Sequence, residues 1–103
     1  MADPAESALR DLDRVSRHRQ HRPSSQAAYG LALAMRGDLS AADQEINTAL
    51  TEAPHSGPVL LYAARVAAQV GDSAMAANRI DRALAATNPA LPPHQREAAL
   101  GLR

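Results

Sequence analysis

Cysteine, lysine, phenylalanine and tryptophan are all missing from these 103 residues, and each absence removes a class of function. Without cysteine there are no disulfides, no thiolate nucleophile and no Cys-based zinc site, and nothing marks the redox compartment. Without lysine, every one of the 11 basic residues is Arg; 11 Asp and Glu balance them to a formal net charge of +0. Such a balance gives no global electrostatic pull toward nucleic acid or a membrane surface, so neither is expected as a partner. Long apolar runs are lacking too. The longest, from Val59 to Ala64, stops at Arg65 and falls far short of the ~20 residues that span a bilayer. Asp3, Glu6 and Arg10 interrupt the first residues before the apolar core of a secretory signal can develop, and a cytoplasmic protein is expected.

Catalytic apparatus is equally scarce. No glycine-rich phosphate loop, no nucleophile motif around a serine and no zinc-ligand spacing occurs, and the carboxylates fall on the solvent faces of helical patterns. His18 and His21, and His94 with Glu97, share a helical spacing but have no third ligand beside them, so they read as solvated side chains. We expect a non-enzyme with no catalytic residues, no metal and no cofactor. From Arg14 to Arg22 the chain carries four Arg and two His and no acid. Cations at a helix C-terminus, favoured by its dipole, explain this run better than a phosphate-binding patch does. A regulator using that patch is the lesser reading.

What is present is helical periodicity and punctuation. Asp3-Pro4-Ala5-Glu6 has the chemistry of a helix start, and Ala8, Leu12 and Val15 make one apolar stripe over a helix from about 4 to 20. Helices are further predicted over about 24–36, 39–53, 58–70, 73–87 and 94–103, separated by Pro, Gly and Ser clusters. Gly37 is placed to close one helix in the left-handed conformation, and Asp38 to cap the next. Gly30 lies inside a helix, at a cost of about 1 kcal/mol relative to Ala. Close approach of a neighbouring helix would explain its presence.

The pattern recurs. Gly71-Asp72 stand 34 residues after Gly37-Asp38, and the same shift lays Ala76 on Ala42, Ile80 on Ile46 and Ala83 on Ala49. A helix–turn–helix unit of that period resembles the tetratricopeptide repeat (TPR). In the first unit the signature places are held by Gln26, Tyr29-Gly30, Leu33, Ala42, Ile46, Ala49 and Pro54. In the second they fall to Leu60, Ala63-Ala64, Ala67, Ala76, Ile80, Ala83 and, one residue late, Pro89. The second helices match well; the first helices replace large aromatics with small aliphatics.

The expected architecture is all-α: antiparallel helix pairs stacked as a short right-handed TPR-like solenoid of about six helices, one domain over 1–103. Its parts would be an N-terminal half-unit helix over 4–22, a repeat over 23–56, a second over 57–90 and a capping or truncated helix over 91–103. The resemblance implies a concave groove lined by the first helices, of the kind that binds a peptide or helix of another protein. Here that groove would take Ala27, Leu31, Ala34 and Met35, then Leu61, Tyr62, Arg65 and Gln69, with Gln95 and Arg96 beyond. The clamp by which some members hold a chaperone's C-terminal carboxylate is not matched, since Leu31 and Arg65 stand where it would want Asn. A scaffold or adaptor is therefore expected, taking a mostly apolar partner segment with one or two acids to meet Arg65. The alternative is a self-associating repeat fragment of a larger protein, a homo-oligomer joined through its exposed repeat ends.

Overall fold

The computed structural model describes residues 23–103, and over that span the protein is all-helical. Five helices follow in order: α1 (Pro23–Arg36), α2 (Leu39–Glu52), α3 (Gly57–Gln69), α4 (Ser73–Ala85) and α5 (Pro93–Leu102). Each begins and ends within two residues of its predicted span. No strand occurs among the described residues. The predicted helix over 4–22, the Arg14–Arg22 run and the His18/His21 pair lie outside them.

The two reversals are built alike because their sequences are alike. At the end of α1, Gly37 has φ +99° and its N–H donates to Ala34 O at 3.0 Å, while Asp38 N–H reaches back to Leu33 O at 2.9 Å. At the end of α3, Gly71 has φ +84°, its N–H donates to Ala68 O at 3.1 Å, and Asp72 N–H donates to Ala67 O at 2.9 Å. Both are Schellman closures, in which a residue without Cβ takes the left-handed conformation and the last carbonyls find donors. The aspartates then diverge. Asp72 Oδ1 accepts from Met75 N–H at 3.0 Å and caps α4. Asp38, expected to do the same for α2, makes no such bond; its carboxylate pairs with Arg36 Nε at 3.5 Å.

Each reversal folds a helix onto its predecessor. α1 packs on α2 and α3 on α4; α3 also packs on α1 and α2, while α5 rests on α4. The first core gathers Ala27, Leu33 and Ala34 from α1, Ala42, Ile46 and Ala49 from α2, and Val59, Ala63 and Val66 from α3. At Gly30 the two helices come close together. A Cβ built there would stand 3.1 Å from Ile46 Cγ1 and 3.2 Å from Ala42 O, so the missing side chain is what lets the α1 and α2 axes come together. The second core joins Leu60, Leu61 and Ala64 of α3 to Ile80 and Ala83 of α4, with Leu91 and Ala99. Ala64 occupies the place of Gly30 in this pair.

The linker into α5 is anchored rather than loose. Gly57 N–H, freed by its position at the start of α3, donates to Pro89 O at 2.8 Å, and Asn88 N–H donates to His55 O at 3.3 Å. Leu91 is thereby delivered into the second core. A Cβ on Gly57 would meet Leu91 N at 2.8 Å, so this glycine serves a backbone crossing that the sequence pattern does not announce.

Candidate functional site

Because α3 lies among α1, α2 and α4, most of its circumference is buried. Val59, Leu60, Leu61, Ala63, Ala64, Val66 and Ala67 all face the interior. One narrow strip remains, carrying Arg65, Ala68 and Gln69. That strip forms one wall of an apolar cleft of about 710 Å³, within the ~300–1,000 Å³ usual for binding pockets. Leu31 and Met35 of α1 stand on one side of it. Ala76, Ala77 and Ile80 of α4 and Leu102 and Arg103 at the end of α5 stand on the other.

Leu31, Met35, Arg65 and Gln69 are thus brought together, and Met35 is 69 % exposed there. Other expected groove residues lie elsewhere. Leu61 is 5 % exposed and belongs to the second core, because the run from Val59 to Ala64 has helices on several sides. Ala27 and Ala34 are core residues between α1 and its partners. Tyr62 is half-buried against the first core. Arg96 donates through Nη1 to Leu84 O at 3.1 Å, closing the end of α4, and is not in the cleft. Ala76, assigned to the repeat core like Ala42, is only half-buried and lines the cleft instead.

The electrostatics of the cleft are set by one side chain. Of the other arginines in the described residues, Arg36 pairs with Asp38, Arg82 Nη2 donates to Pro54 O at 3.4 Å, and Arg103 Nε pairs with Asp81 at 3.3 Å. Arg96 is held at Leu84 O, and the buried Arg79 donates through Nη1 to Ala63 O at 3.1 Å. Burial pulls the Arg79 guanidinium below its ordinary value, with Arg82 adding to the shift and Asp43 and Asp72 opposing it. Arg65 alone among the described arginines makes no hydrogen bond or ion pair with another described residue.

No family model, curated protein or solved structure matches this chain. Among the described residues no group of three or more His, Asp or Glu side chains is placed to hold a metal ion, and no helix is long and apolar enough to cross a membrane. Arg79 and the far walls of the cleft, Ala77 and Leu102, were missed by sequence reasoning. For Arg79 a signal exists: it lies 34 residues after Glu45, which accepts from Gln26 Nε2 at 3.0 Å, so the same repeat position reaches the first helix in both pairs.

Proposed function

We propose that this chain is a TPR-like helical-repeat module, a non-catalytic scaffold or adaptor that docks a segment of another protein in the cleft between α1, α3, α4 and the end of α5. The observation that carries the reading is the cleft itself. It is walled by Leu31, Met35, Ile80 and several alanines, and Arg65, a cation with no partner among the described residues, stands at its edge. The two Gly-Asp reversals, closed by the same backbone bonds, and the pairing of α1 with α2 and α3 with α4 support a solenoid of repeats, for which the TPR resemblance implies a right-handed stack.

A paired pull-down from source-cell extract tests the reading, with the wild-type chain beside a Met35→Glu/Arg65→Glu variant. Both positions are exposed, so the variant is expected to keep its helical circular dichroism and melting temperature. A protein retained by the wild type and lost by the variant is the expected result. The same set recovered by both, or an empty set, removes the cleft as the working face. Self-association is the second reading, favoured by Leu100 and Leu102, which are 50 % and 54 % exposed on α5.

A further inference from the structure

Resting on the cleft as the working face, we infer that its occupant is a partner's amphipathic α-helix, running beside α3 with a carboxylate at the edge of its apolar stripe to meet Arg65. Three observations lead there.

The first is hydrogen-bonding capacity. An extended segment brings one backbone N–H and one C=O per residue, and each needs a partner once it leaves water. The cleft walls are helices, and no strand, hence no sheet edge, exists among the described residues. Gln69 and Ser73 are the neutral polar side chains of the lining. They cannot serve a run of peptide groups. A helix satisfies its own backbone and brings only side chains to the surface.

The second is the relief of the wall. Ala64 and Ala68 lie one turn apart on α3, and Ala76 and Ala77 oppose them on α4. Short side chains there leave room for large ones from outside, and Leu31 and Met35 give those large side chains apolar contacts above the buried Ile80.

The third is charge and register. Arg65 and Gln69 are also one turn apart, forming a polar row beside the Ala64/Ala68 row. Arg103 is committed to Asp81, which leaves Arg65 as the lining cation available to a ligand. A helix lying alongside α3 meets this row with an Asp or Glu opposite Arg65 and, one turn away, a side chain able to hydrogen-bond Gln69. The sequence signature of the partner is therefore apolar residues at i, i+3/i+4 and i+7 flanked by an acid.

The test is selection of 16-residue peptides from a random display library on the wild-type chain, with each enriched peptide re-measured on two variants. Ala77→Trp fills the cleft from an exposed position, and Arg65→Glu reverses its charge; both are checked for unchanged circular dichroism and melting temperature. Expected are peptides with helical apolar spacing and an acid at the stripe's edge, whose binding is lost on Ala77→Trp. Replacing their acid by Gln should weaken binding to the wild type by up to about fivefold, the upper end for an exposed ion pair. Replacing it by Lys should restore binding to Arg65→Glu. Enrichment of proline-containing or acid-free peptides that still depend on Ala77 overturns the helix-and-carboxylate inference while leaving the cleft as the working face. Peptides indifferent to Ala77→Trp, or none enriched, overturn both. Concentration-dependent dimerisation of the wild type that Ala77→Trp abolishes would assign the cleft to a second copy and also overturn the inference.

Discussion

Arg79 of α4 donates from Nη1 to the carbonyl of Ala63 in α3 at 3.1 Å, a charged side chain used inside the fold to bind one helix to the backbone of its neighbour. Its stem is buried with it, so charge and packing are lost together on truncation. Arg79→Ala should lower unfolding free energy by at least about 1.5–3 kcal/mol, the range for a hydrogen bond from a charged group, because the packing of the stem is lost as well. Arg79→Met keeps the stem and removes the desolvated charge, and should cost distinctly less. Urea denaturation of the two variants side by side decides it. Equal losses would mean that the stem contributes nothing.

A Cβ on Gly30 of α1 would stand 3.1 Å from Ile46 Cγ1 of α2. Gly30→Ala should gain about 1 kcal/mol of helix propensity and lose about 1–3 kcal/mol to overpacking, giving a small net destabilisation. Ile46→Ala alone should cost about 2–5 kcal/mol through the cavity it leaves. In the double variant the new methyl enters part of that cavity, so the combined loss should be smaller than the sum. Additive losses in a double-mutant cycle would place the two side chains out of contact.

The two aspartates that follow the left-handed glycines look equivalent in sequence and are not equivalent in structure. Asp72→Ala should cost about 1 kcal/mol, since it removes a side-chain bond to Met75 N–H. Asp38→Ala removes only an exposed pairing with Arg36 and should change stability by less than about 0.5 kcal/mol. Thermal melts of both would reverse the assignment if Asp38→Ala proved the costlier.

Gly57→Ala should be the most damaging glycine substitution near the second core. Its methyl would press on the backbone of Leu91, which cannot rotate away as a side chain can. A loss at the upper end of about 1–3 kcal/mol is expected, together with faster amide exchange in α5 as Leu91 withdraws from its cluster. Unchanged exchange in α5 would show that the 88–91 linker adjusts without it.

Much of the helical frame was legible because glycine, proline and aspartate act locally. Gly37 and Gly71 close their helices through bonds to residues only a few positions back, and a pattern read along the chain captures such interactions. Ile46, Ala42 and Ala49 were legible through periodicity on an otherwise polar helix. Leu61 was not, because six consecutive apolar residues from Val59 give no polar neighbour to mark the outward face; Arg65 is the first such mark. Gly57 was unreadable for a different reason. Its constraint comes from residues more than thirty positions away, and a glycine before proline already has a sufficient local explanation as a chain break. Arg79 was passed over because arginines on amphipathic helices ordinarily face solvent, and only its partner carbonyl on α3 gives it another place to go.

α5 contributes a single fully buried residue, Ala99, and yet its last turn supplies Leu102 and Arg103 to the cleft. The wall with the fewest buried residues thus shares the cleft with α3, whose circumference is almost wholly enclosed. Free energies of local opening follow buried contact, so this wall yields before the others do. A bulky guest would widen the cleft by displacing α5 while α1, α3 and α4 held their shape, and the breadth of guests accepted would depend on how firmly Ala99 and the Arg103–Asp81 pair retain one short helix.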